Sequence, residues 1–129
     1  MSATNSRVRT KDPMQEQCVA ANEVLELIRD KWTILVLGAL RRHDTLRYNE
    51  LQRAVAGISQ RMLTLTLKTL EENGLVTRTI FATVPPRVDY ALTPMGRTLI
   101  QPLRGLLDWS LEHRAAIAEA RRAYAKKLA

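Results

Sequence analysis

The chain has 129 residues, 46% of them hydrophobic and 26% charged, which is enough for one globular domain with its own core and too few for two. Twenty Lys and Arg against thirteen Asp and Glu leave a net charge of +7, so negatively charged partners are favoured, nucleic acid first. One cysteine, Cys18, excludes an internal disulfide or a thiolate zinc site within one chain, and two histidines leave few nitrogen ligands, so neither metal nor cofactor is expected.

The longest apolar run, Ile34 to Leu40, is far shorter than the ~20 residues of a membrane span, and the first residues are too polar for a signal peptide, so a cytoplasmic location is expected. Residues 1–12 read as a flexible basic arm and 13–129 as one domain. Asp12-Pro13 opens a first helix, Met14 to Arg29, whose Cys18, Ala21, Val24, Leu25 and Ile28 follow helical spacing with Glu16, Glu23 and Glu26 outside. A second helix, Lys31 to Arg41, is apolar almost all round and should form the spine of the core. A short helix, Tyr48 to Val55, turns Leu51, Ala54 and Val55 inward before Gly57 breaks it.

Ser59 is chemically suited to cap a fourth helix and Gly74 to stop it. Between them Leu63, Leu67 and Leu70 form one stripe, while Arg61, Thr64, Leu65 and Lys68 project from the other side. Leu75 to Ala82 and Arg87 to Leu92 carry the β-branched and aromatic residues of strands, and the Thr83-Val84-Pro85-Pro86 link cannot be helical, so a two-stranded hairpin with a stiff tip is expected. Thr93-Pro94 opens a last helix running to about Tyr124, with a bend expected at Pro102.

Helices followed by a hairpin, with a capped helix just before the first strand, is the order of a winged helix-turn-helix: mainly α with a small antiparallel hairpin. The outer face of the fourth helix supports that reading. Arg61 offers a guanidinium fork, Thr64 a hydroxyl and Lys68 an ammonium, the groups that reach base edges and phosphates. Ser59 and Gln60 stand at the helix end whose free amides suit a phosphate, and Arg87 follows two prolines where a rigid wing could carry it into the minor groove. Leu65 is either a contact to a thymine methyl or partly buried against a neighbour. The first and last helices carry more apolar surface than one small core can cover. Val24, Ile28, Leu103, Leu106 and Trp109 are therefore expected at a homodimer interface.

Through Asp30-Lys31-Trp32-Thr33, Arg47-Tyr48-Asn49-Glu50-Leu51, Gly57 to Thr64, Leu70 to Val76 and Pro86 to Thr93, the chain resembles the HxlR-type bacterial winged-helix transcriptional regulators. The resemblance implies a homodimer on a two-fold-related DNA operator, acting as a repressor, with the Ser59 helix in the major groove and the Arg87 wing beside it. Leu65 stands where a polar residue is expected. Cys18 matches a cysteine that some relatives use to sense electrophiles or oxidants, whereas from the residues alone a single Cys at an apolar helical position is a small core residue. An enzyme finds no support: there is no Gly-rich phosphate loop and no nucleophile elbow. The alternative is a winged helix that serves as a protein-interaction module without sequence-specific DNA binding.

Overall fold

The computed structural model describes residues 12–129, so the basic arm expected over 1–12 lies, but for Asp12, outside the described residues. Helix α1 (Pro13–Ile28) starts where the Asp12 carboxylate accepts the Met14 N–H at 3.1 Å and Pro13 fills the first turn, which needs no donor. Asp30 repeats the device for α2 (Lys31–Arg41), accepting from Trp32 N–H at 2.8 Å. The chain then forms β1 (Leu46–Arg47), α3 (Tyr48–Ala54), α4 (Gln60–Glu72), β2 (Val76–Phe81), β3 (Arg87–Leu92) and the long α5 (Pro94–Leu128).

The core gathers on α2. Val36, Leu37 and Leu40 are fully buried with Leu51 of α3 and Leu63 and Leu70 of α4, and Leu46, Val76, Tyr90 and Leu92 close it from the sheet side. Each fully buried aliphatic side chain contributes about 1.5–3 kcal/mol by leaving water, and α2, which packs against α1, α3, α4, β3 and α5, carries three of them.

The expected hairpin is present, β2 paired with β3, and a short strand joins it, while two other expectations are corrected. The sheet has three strands in the order β1-β3-β2, all antiparallel, with Leu46 opposite Tyr90 and Arg47 opposite Asp89; β1 covers only two residues, too few to carry an alternating pattern. Ile28 and Leu103, expected at a dimer interface, are buried in the protomer's own core. Ile28 is the last residue of α1, where the chain turns into α2, and Leu103 faces inward from the part of α5 that lies against α2. The last helix continues past Tyr124 to Leu128, with Pro102 inside it.

The start of α5 is locked to the end of α4. Thr93 Oγ1 accepts the Gly96 N–H at 2.9 Å and donates to the Gly74 carbonyl at 2.7 Å. At Gly96 a Cβ would collide with the Leu75 carbonyl oxygen, so the close approach of these backbones requires glycine.

Candidate nucleic-acid interface

Helix α4 is fixed at both ends by its own sequence. Ser59 Oγ accepts the Met62 N–H at 3.0 Å, and Gly74, at φ +74°, lets Leu75 N–H reach the Leu70 carbonyl and Gly74 N–H the Glu71 carbonyl, both at 3.0 Å. That pair of bonds is a Schellman stop, which a left-handed glycine makes without steric cost. Leu63, Thr66, Leu67 and Leu70 are buried beneath the helix. Gln60, Arg61, Thr64, Leu65 and Lys68, with Ser59 before them, all stand exposed. Leu65, which sequence left between a contact residue and a buried one, is 55% exposed, so no neighbour within the protomer covers it.

Tyr48, which sequence reading placed only in the short third helix, touches the exposed face of α4 directly. Its hydroxyl donates to the Gln60 carbonyl at 2.8 Å and lies 2.8 Å from Thr64 Oγ1. The first turn of α4 is thereby pinned from outside as well as from its cap. No sequence signal pairs residues this far apart, beyond the preference of a half-buried tyrosine for a polar partner at its tip.

The hairpin of β2 and β3 forms the wing, and Arg87 begins β3 immediately after the tip, opposite Phe81. Its guanidinium is not free. Nε and Nη2 each donate at 3.0 Å to the two carboxylate oxygens of Asp89, which is buried, and the cation sits 4.5 Å over the Phe81 ring. The Asp89 hydrogen bond and charge raise the pKa of Arg87 above its ordinary value. This fork holds the side chain along the wing while leaving its other N–H donors uncommitted. Between the wing tip and the start of α3 lies a cleft of about 560 Å³, walled by Arg47, Asn49, Thr83, Pro85 and Arg87. Its walls carry two cations, Arg47 and Arg87.

The terminal helices present a different surface. On α1, Val19 and Val24 are exposed and so is Cys18, so the thiol is not the core residue that its apolar helical position suggests. On α5, Leu106, Leu107 and Leu111 are exposed together with Trp109, whose ring stacks on His113 at 4.4 Å. Val24, Leu106 and Trp109 therefore lie on open surface, unlike Ile28 and Leu103.

Comparison with known proteins agrees with this architecture. Residues 27–117 match the model of the HxlR-like helix-turn-helix family. The chain belongs to the HxlR family. It is 39% identical over 94 residues, 73% of either chain, to YtfH of Escherichia coli (strain K12), an uncharacterized HTH-type transcriptional regulator. Among solved structures, a transcriptional regulator from Enterococcus faecalis V583, assigned to the MarR family, superposes with a TM-score of 0.70 at 36% identity, covering 92% of this chain and 99% of that one. The redox regulator HypR in its reduced form superposes with a TM-score of 0.69 at 34% identity, covering 78% and 98%. This HxlR protein is thus a winged helix-turn-helix, DNA-binding transcriptional regulator. Among its described residues no helix is long and apolar enough to cross a membrane.

Proposed function

We propose that this HxlR protein binds a two-fold-related operator as a homodimer and represses by occupying it, with α4 in the major groove and the wing beside it. The observation that carries the reading is the division of α4 into a buried aliphatic face and an exposed face of Gln60, Arg61, Thr64, Leu65 and Lys68, capped by Ser59. Arg61 is the base-reading fork, Thr64 a hydroxyl contact and Leu65 an apolar contact for a thymine methyl. Ser59, Gln60 and Lys68 serve the phosphates, and Arg87 holds the backbone where the wing crosses it.

Dimerisation is supported by the state of α1. Ile28 is its one buried residue, and a 16-residue helix with a single buried side chain has little to hold it in water unless a second surface covers Val24 and its neighbours. Leu106 and Trp109 on α5 supply such a surface. A second copy placed there repeats α4 about 34 Å along the duplex, one helical turn.

Cys18 is the entry point for an oxidant or electrophile. Its thiol is exposed on the same helix, and no second cysteine exists in the chain to resolve a sulfenic acid internally. Oxidation ends in a disulfide with a small thiol or with the partner's Cys18, releasing water from the sulfenic acid, and the altered helix contact re-spaces the two reading helices. That a redox regulator shares the fold supports this reading.

Operator binding measured between low and high salt tests the proposal. A dimer neutralising Z phosphates gives a log–log slope near −0.9Z, and a flat response would assign α4 to a protein partner instead. Repeating the titration after diamide, with wild type and Cys18→Ser, tests the switch: wild type changes affinity and the variant does not.

A further inference from the structure

The hydroxyl of Tyr48 has one proton and two close partners. One of them, the Gln60 carbonyl at 2.8 Å, can only accept, so the tyrosine proton is spent there. The 2.8 Å contact between Tyr48 and Thr64 must then be filled by the proton of Thr64. Thr64 Oγ1 is exposed on the reading face with its lone pairs free and its proton committed. A threonine hydroxyl is ordinarily ambivalent, able to donate or accept and so poor at telling bases apart. This one has been given a single polarity.

We propose that Tyr48 makes Thr64 an obligate hydrogen-bond acceptor that selects a base bearing an amino group in the major groove, adenine through N6 or cytosine through N4, over guanine or thymine. The last two present only acceptors at the corresponding edge, and an acceptor facing an acceptor is repelled. The inference rests on the reading of α4 as the major-groove helix and adds a direction to it. Tyr48 is a positioning residue, since it acts through Thr64 and need not touch DNA. Its ring is only half-exposed and its hydroxyl is occupied by α4.

The test is selection of binding sites from a randomised duplex library, with the full chain and three variants. Wild type should enrich adenine or cytosine at one position of each half-site over guanine or thymine by about fivefold or more, as one made against one broken hydrogen bond requires. Which amino base is enriched identifies N6 or N4 as the donor. Thr64→Ser keeps the preference and Thr64→Val abolishes it at that position alone. Tyr48→Phe keeps the ring but releases the threonine proton, so the ratio at that position should fall below about twofold while other positions keep theirs. A preserved ratio in Tyr48→Phe, a keto preference in wild type, or an even loss across all positions in Tyr48→Phe overturns the proposal. A wild-type library with no enriched sequence overturns the assignment of α4 as a reading helix, and this inference with it. Thermal melting of Tyr48→Phe beside the parent separates lost polarity from lost structure.

Discussion

From Ser59 to Leu92 the molecule is finished from within. Helix α4 is capped at one end, stopped by Gly74 at the other, pinned by Tyr48 in its first turn and seated on Leu63, Leu67 and Leu70. The wing's arginine is forked onto a buried aspartate. The terminal helices are built the other way, with α1 burying only Ile28 and α5 leaving Leu106 and Trp109 open. The difference separates two tasks. On the proposed function, α4 and the wing form a unit complete within each protomer, and the distance between two such units is set by surfaces that a second copy covers. On that reading a signal that changes spacing acts on the terminal helices, where Cys18 stands exposed.

Damage to one region should leave the other intact. Leu106→Glu or Trp109→Glu should put an unpaired charge into the dimer contact, at about 3–5 kcal/mol, and drive the protein to monomer in sedimentation while the helical signal of the reading unit persists. An intact dimer in both variants would place the interface elsewhere. Gly96→Ala should cost about 3 kcal/mol in urea unfolding at fixed protein concentration, since neither Leu75 nor Gly96 can retreat without moving the α4–β2 junction. Arg61→Ala should weaken binding to the selected operator by about 1–3 kcal/mol and relax preference at one position, with no change of oligomeric state.

Smaller effects are expected at Ser59 and Arg87. Ser59→Ala should lower stability by about 1 kcal/mol, the worth of an N-cap, without altering the dimer. Arg87→Ala should weaken all sequences evenly and flatten the salt slope by about 0.9 for the phosphate it releases.

What sequence revealed divides along the same line. Ser59 and Gly74 bound α4 through bonds to their near neighbours, so their residue types alone mark the helix ends, and the strand Arg87–Leu92 has the bounds its pattern indicates. The exposed face of α4 was legible for the same reason. Features made by distant residues were not. The pairing of Leu46 with Tyr90, the bridge from Tyr48 to Thr64 and the covering of Ile28 and Leu103 all depend on what the fold brings alongside. An amphipathic pattern shows that a face is apolar and is silent about which neighbour covers it. Arg87 and Asp89, two residues apart on one strand, could have been paired from their spacing, because alternate residues share a face.

Two winged units spaced by a dimer contact should bind two half-sites together only at a matching separation. The most direct measurement is binding to a duplex carrying two selected half-sites about 34 Å apart, against the same duplex with five base pairs inserted between them. The inserted half-turn puts the second half-site on the opposite side of the helix. A loss of tenfold or more with the insertion, restored by inserting a full turn, is the predicted result. Equal affinity for all three duplexes would mean that each protomer binds alone and that the open faces of α1 and α5 do not set the distance between reading helices.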